Sequence, residues 1–301
     1  SHLFDWDEIN FAEAAREMLV TGNYSYVQIN FRPFWEKPPL FIWMQVLSMS
    51  AFGVNEFAAR LPNAICGIFT ILTLFNIGNK LVSKNFGLLW VLVYFGSLLP
   101  QIYFRSGIID PWFNLLIFSS IHQLIIASNQ EPINRKRILQ SAVLIGLAVL
   151  TKGPTAAALL GICCIIYFAL SYNKHQWKIA DAVIYLTIVI AVGFSWFFIE
   201  VARGHSYVVQ EFINYHIRLL STSEAGHGQP FYYHPIVLLL GCFPMSLFLI
   251  FGWFKKGDLP SEVAHYKKWM TILFWVVLIV FSIVKTKIIH YSSLTCTETS
   301  T

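Results

Sequence analysis

The chain predicts an all-α polytopic membrane protein. Of its 301 residues, 56% are hydrophobic and 12% charged, about half the charged share of a soluble domain. Apolar runs approaching the ~20 residues needed to cross hydrocarbon recur along its length, and the segments between them are mostly short and polar. A soluble fold could not hide that much apolar surface, so the excess has to face lipid.

The opening segment, residues 5 to 37, is polar and contains an amphipathic helix running from Asp7-Glu8-Ile9-Asn10 to Arg16-Glu17-Met18. Glu13, Arg16 and Glu17 have the spacing of an ordinary solvated face. Residues 38 to 53 open with Pro38-Pro39, are short for a crossing and carry Trp43, which suits an interface. They are expected to lie along the outer surface. Spans are then expected at roughly 61 to 82, 86 to 104, 110 to 128, 138 to 151, 154 to 172, 179 to 200, 234 to 254 and 269 to 284. The short run 138 to 151 meets its neighbour across Lys152-Gly153-Pro154, so those two make a tight hairpin. A further span begins near Ile288 and stops in a polar tail, and neighbouring spans are expected beyond both ends of the chain. The expected division is an extracytoplasmic loop with juxtamembrane helices over 1–60 and a transmembrane bundle over 61–301, truncated at its C-terminus.

Lys and Arg of short loops stay on the cytoplasmic side. Alternate loops from the first span hold Lys80, Lys84, Arg135, Lys136, Arg137, Lys174, Lys178, Lys255, Lys256, Lys267 and Lys268, 11 of the 21 basic residues. The other set holds most of the acids and nearly every candidate for chemistry. The basic residues are scattered among loops, which argues against nucleic acid as a partner and for a lipid bilayer. Cys66, Cys163, Cys164 and Cys242 lie inside apolar runs and read as small core residues.

Each candidate has a plain account beside a chemical one. Asp7 and Glu8 are favourable in a helix's first turn, or they are catalytic carboxylates. Glu36-Lys37-Pro38-Pro39 sets an acid and a base between aromatics and a rigid turn, either as a snorkelling interfacial pair or as two groups with separate partners. Asp110, before Pro111, caps a helix or belongs to the site. Lys152, in a turn between apolar helices, calls for a partner or a pathway. The loop 201–233 adds His205, His216, Arg218 and His227, and Lys285 and Lys287 add cations at the same face. Cations, carboxylates and aromatics gathered on one side suggest a phosphate-bearing, partly apolar ligand.

At these residues the chain resembles membrane glycosyltransferases of the GT-C type. The motifs are Asp7-Glu8 opening a helix, Glu36-Lys37-Pro38-Pro39-Leu40, Asn55-Glu56-Phe57-Ala58-Ala59-Arg60-Leu61-Pro62, Asp110-Pro111, Thr151-Lys152-Gly153, and Lys285-Thr286-Lys287 through Tyr291. Within that type the resemblance is to the aminoarabinose transferases acting on lipid A and the protein O-mannosyltransferases. The resemblance implies a GT-C-like helical bundle in a bacterial inner membrane with its site on the periplasmic face. It implies a polyprenyl-phosphate sugar as donor and a lipid, glycan or protein as acceptor. Asp7 would be the catalytic carboxylate, paired with Glu8. Lys37, Lys152, Arg218, Lys285, Lys287 and Tyr291 would bind the donor phosphate, and Asp110 would join the site. Glu36 and His216 would hold a divalent metal ion. Asn10 and Phe11 depart from the arginine and tyrosine that aminoarabinose transferases carry after the acidic pair.

The chemistry agrees with this resemblance. A departing polyprenyl phosphate needs cations rather than a general acid, one carboxylate suffices as base for the acceptor hydroxyl, and direct in-line attack predicts inversion. The rival reading, a transporter or flippase of lipid-linked sugars, requires internal repeats or helices broken near the midplane. The sequence shows no repeat.

Overall fold

The computed structural model describes residues 2–3, 6–129, 133–170, 178–221, 233–248, 259–283 and 294. Helix α1, Trp6–Thr21, leads into a small antiparallel hairpin of β1, Gln28–Ile29, and β2, Arg32–Pro33. Asn30 and Phe31 both have positive φ, 54° and 55°, as a tight turn with two left-handed central residues requires. The turn is held by Glu17, fully buried, whose two carboxylate oxygens accept from the Phe31 N–H at 3.2 and 3.0 Å. Glu17 therefore departs from the solvated face expected of it. Glu13 and Arg16 keep to that face as a part-buried pair at 2.8 and 2.6 Å.

Helix α2, Leu40–Phe52, has 13 residues and a length of roughly 20 Å, too short to cross. It packs against α1 and α3. The Trp43 indole N–H donates to the Tyr24 carbonyl at 2.6 Å and that of Trp196 to the Ser25 carbonyl at 2.7 Å. The loop after α1 is thereby fastened to two distant parts of the chain.

The bundle begins with α3, Glu56–Leu81, capped by the Asn55 side chain accepting from the Ala58 N–H. Then come α4, Lys84–Phe95, α5, Leu98–Phe104, α6, Asp110–Ser128, α7, Arg135–Lys152, and α8, Thr155–Leu170. Helices α9, Ile179–Gly193, α10, Ser195–Ala202, α11, Tyr207–Ser221, α12, Tyr233–Gly241, and α13, Ser261–Ile283, follow. Among the described residues, α3, α6 and α13 are each long and apolar enough to span. The expected spans at 86–104 and 179–200 are bent pairs, α4 with α5 at 74° and α9 with α10 at 55°. If each bent pair counts as one crossing, five spans pass this length-and-composition test. Of the other expected spans, 138–151 and 154–172 are helices α7 and α8, and 234–254 lies partly outside the described residues. Exposed apolar residues form helical stripes, such as Ile65, Ile68, Phe69 and Leu72 on α3. Such stripes are stable only against lipid.

Two polar contacts show which loops share an end. Arg135, at the start of α7, pairs with Asp181 near the start of α9 at 3.0 Å, and Lys268 of α13 donates to the Leu170 carbonyl at 3.1 Å. All four belong to the loops grouped by their basic residues. Cys66, Cys163 and Cys164 are free, whereas Cys242 is disulfide-bonded, so it is not the plain core residue expected.

Single cysteines at Asn23 and Gly204 should label with an impermeant reagent from one side of the membrane, and a cysteine at Lys84 from the other. Labelling of Asn23 and Lys84 from the same side would mean that residues 38–53 cross.

Candidate functional site

The site gathers around Lys37, which feels Asp7 at the start of α1, Asp110 at the start of α6 and Lys152 at the end of α7 and contacts Tyr215 of α11. Its foundation is Glu8, fully buried. The carboxylate accepts from Arg60 Nε at 2.7 Å, from Arg60 Nη2 at 3.0 Å and from the Gly107 N–H at 2.7 Å. A buried carboxylate is tolerable only when paired and hydrogen-bonded in this way. Gly107 is needed for the close approach, since a Cβ there would come within 3.2 Å of the Ala59 carbonyl and the Gln45 amide. Asn63 braces the same turn, donating to the carbonyls of Ser106 and Ile108 at 2.7 and 2.6 Å. The carboxylate expected to share catalysis with Asp7 thus ties α1 to α3 and to the turn before α6.

Asp7 precedes that tie by one residue, in the first turn of α1, where the helix dipole favours its charge. It is half-buried, and its charge acts on the Lys37 ammonium. Lys37 is nearly buried and donates to the Tyr215 hydroxyl at 3.2 Å, with its ammonium 4.8 Å from the centre of the Tyr215 ring. Burial lowers its pKa below the ordinary 10.5, with the Lys152 charge acting in the same direction. Asp7, Glu36 and Asp110 oppose that shift. One ammonium therefore feels three carboxylates and a second lysine, brought from four separate stretches of chain.

Asp110 opens α6 and is buried, but it does more than begin a helix: it accepts from Lys152 Nζ at 2.6 Å. Lys152 closes α7 with its ammonium 5.4 Å from the Phe113 ring. Gly153 follows with φ +92°, a conformation suited to glycine, and a Cβ there would lie 2.7 Å from Phe212 Cζ and 3.4 Å from His216 Nε2. The glycine thus lets α11 close over the lysine turn. On α11 the inner face is Val208, Phe212, Tyr215 and His216. His216 Nδ1 lies 2.9 Å from the Phe212 carbonyl, which can only accept, so Nδ1 carries the proton. Burial, reinforced by the Lys37 charge, lowers the His216 pKa and keeps the ring neutral near pH 7, leaving Nε2 as an acceptor.

Arg218 is exposed on α11, three residues beyond Tyr215. Lys285, Lys287, Tyr291 and His227 lie outside the described residues. For the expected divalent metal, His216 has a ligand-like orientation, with its other nitrogen on a backbone carbonyl. The described residues nevertheless form no group of three or more His, Cys, Asp or Glu side chains able to hold an ion. Lys37, whose positive charge is felt by His216, already supplies a cation there. Among the described residues, Glu36 and His216 by themselves do not complete a metal centre. Sequence reading missed Tyr215, Arg60 and Gly107; only the Arg60 segment carried a signal, as part of a motif whose role was unassigned.

Residues 36–198 match the family described as dolichyl-phosphate-mannose-protein mannosyltransferase. An uncharacterized protein of Aquifex aeolicus is 29% identical over 284 residues, covering 92% of this chain and 62% of that protein. An undecaprenyl phosphate-alpha-4-amino-4-deoxy-L-arabinose arabinosyl transferase of Pectobacterium carotovorum is 28% identical, covering 96% of this chain and 52% of its own. The chain thus spans little more than half the length of the curated relatives it matches. The crystal structure of ArnT from Cupriavidus metallidurans bound to undecaprenyl phosphate superposes with a TM-score of 0.87 at 18% identity, over 99% of this chain and 55% of that one. The apo form of the same protein gives 0.81.

Glu8→Gln keeps the shape but removes the charge paired with Arg60 at the buried end of the tie, so it should cost about 3 kcal/mol of stability. The measurement is the midpoint of thermal aggregation in detergent, and Asp7→Asn should leave that midpoint near wild type.

Proposed function

Because the chain belongs to the dolichyl-phosphate-mannose-protein mannosyltransferase family, we propose that it is an inverting glycosyltransferase. It moves a sugar from a polyprenyl-phosphate donor to an acceptor hydroxyl on a lipid, glycan or protein. The observation that carries this reading is the setting of Lys37: a nearly buried ammonium under the influence of Asp7, Asp110, Glu36 and Lys152, at one end of an apolar bundle. A lipid-borne phosphate needs its tail in the bilayer and its charge at such an end, which is the arrangement expected for this donor class.

Asp7 is the base. It accepts the acceptor's proton as the hydroxyl oxygen attacks the anomeric carbon in line with the departing phosphate oxygen, so the sugar configuration inverts. Lys37 and Lys152 stabilise the phosphate monoester dianion that leaves. Asp110 holds Lys152 at 2.6 Å, which aims the ammonium and moderates the positive charge left before the donor arrives. Arg218, Lys285, Lys287 and Tyr291 are further proposed phosphate contacts resting on the family resemblance. The site faces the periplasm of a bacterial inner membrane. The support is that the short loops at the opposite ends of the helices carry 11 basic residues and few acids. A flippase reading is less well supported: the two helix breaks fall at Gly96-Ser97 and Phe194, positions without ionisable side chains, while the charged groups cluster at the bundle's end.

Purified protein should release polyprenyl phosphate from one member of a panel of polyprenyl-phosphate sugars when the acceptor is present. Asp7→Asn should lower that turnover roughly 100-fold or more with the fold retained; turnover within a few-fold of wild type would remove Asp7 as base. Lys37 must be protonated to hold the phosphate, and burial depresses its pKa. Donor use should therefore fall as pH rises, at a midpoint below that of an exposed lysine, and Lys37→Arg should push this alkaline limb upward because guanidinium stays charged.

A further inference from the structure

We propose that Tyr215 is a positioning residue for the donor phosphate, holding the Lys37 ammonium at the mouth of the site through both its hydroxyl and its ring. This rests on the reading of Lys37 as a phosphate ligand. The hydroxyl accepts from Lys37 Nζ at 3.2 Å, and the ring centre is 4.8 Å from the same nitrogen. A lysine chain is flexible and strongly hydrated. One that is nearly buried needs partners to keep its ammonium charged and in place.

Tyr215 is delivered to this position by backbone geometry. Gly153, with no Cβ, admits the Phe212 ring against the turn that follows Lys152, and Tyr215 lies three residues on along the same inner face of α11. Phe212, Tyr215 and His216 therefore close over both lysines as one unit. Before the donor arrives, the ring and oxygen stand in for part of the missing negative charge.

The groups facing the Lys37 ammonium are Asp7 from α1, Asp110 from α6, Lys152 from α7, Glu36 beside it, and Tyr215 with His216 from α11. Removing the hydroxyl takes away an interaction that favours the charged lysine while leaving those charges in place. The alkaline limb of donor use then moves to lower pH.

The test uses steady-state turnover of a polyprenyl-phosphate sugar across pH, with thermal aggregation in detergent as a control for folding. Tyr215→Phe, which keeps the ring, should raise the donor KM about 5- to 20-fold, change kcat by less than about threefold, and shift the alkaline limb downward. Tyr215→Leu, which loses ring and hydroxyl, should raise KM further. In a Lys37→Arg background, Tyr215→Phe should leave the limb where it is, because guanidinium does not titrate there. A packing role alone would lower thermal stability without moving the limb, and that result overturns the proposal. Wild-type KM and pH profile in Tyr215→Phe, alongside impaired donor use in Lys37→Met, likewise reject it and leave the phosphate role of Lys37 standing. Wild-type donor use in Lys37→Met rejects both.

Discussion

The burial of the Glu8 carboxylate between the Arg60 guanidinium and the Gly107 N–H is the constraint on which the site depends. It is the point at which the first helix, the first long span and the turn into α6 are locked together. An ion pair in that position is a weak source of net stability, because desolvation offsets most of the Coulomb attraction. Its value lies in geometry: three acceptor contacts admit only one placement of α1. Asp7, adjacent in the chain, is carried to the end of the bundle by that placement. The neighbouring carboxylates thus divide the labour, one buried and fully engaged, the other half-open beside a lysine.

A second layer of order comes from the opposite side of the site. The Trp43 and Trp196 indoles fix the loop after α1 by donating to backbone carbonyls, and Arg203 reaches Ser25 in the same loop. Around them Tyr26, Trp35 and Tyr207 meet edge to face, burying apolar ring surface while keeping polar tips outward. Tyr26 bonds Tyr207 through its hydroxyl, and burial pushes its phenol up to about 12, so it remains a neutral hydrogen-bonding group. The polar segment thus behaves as a packed cap on the bundle and not as a loose loop.

The charged groups of the site balance one another in pairs set by depth. Lys152 is matched by Asp110 at hydrogen-bond distance, whereas Lys37 is matched by a phenol and by carboxylates acting through space. A cation tied to a carboxylate is a stable fixture. A cation tied to a neutral hydroxyl retains more of its field for an incoming anion, which under the proposed function makes Lys37 the better primary contact for a phosphate and Lys152 the better support.

Much of this was legible along the chain. Composition and the length of apolar runs determine a membrane bundle, because no other solvent tolerates such surfaces. Pro38-Pro39 and the brevity of the run that follows mark α2 as too short for a crossing, and the charge bias of alternate loops groups the ends that the Arg135–Asp181 pair brings together. The acidic pair, Lys37 and Lys152 stand out because ionisable groups are costly at the edge of hydrocarbon. Other features required the tertiary structure. The bends after Phe95 and at Phe194 occur inside runs that read as continuous spans. The roles of Glu8 and Glu17 were decided by partners 52 and 14 residues away, and nothing in a local pattern separates a carboxylate bound to a distant backbone N–H from one facing water. Tyr215 sits in an unremarkable amphipathic stretch and gains its place only because Gly153, 62 residues earlier, leaves room for α11 to close over the lysines. Sequence determines which groups have to find partners; packing in three dimensions decides which partners they find, because hydrogen bonds and close contacts are formed between segments whose spacing along the chain carries no record of their meeting.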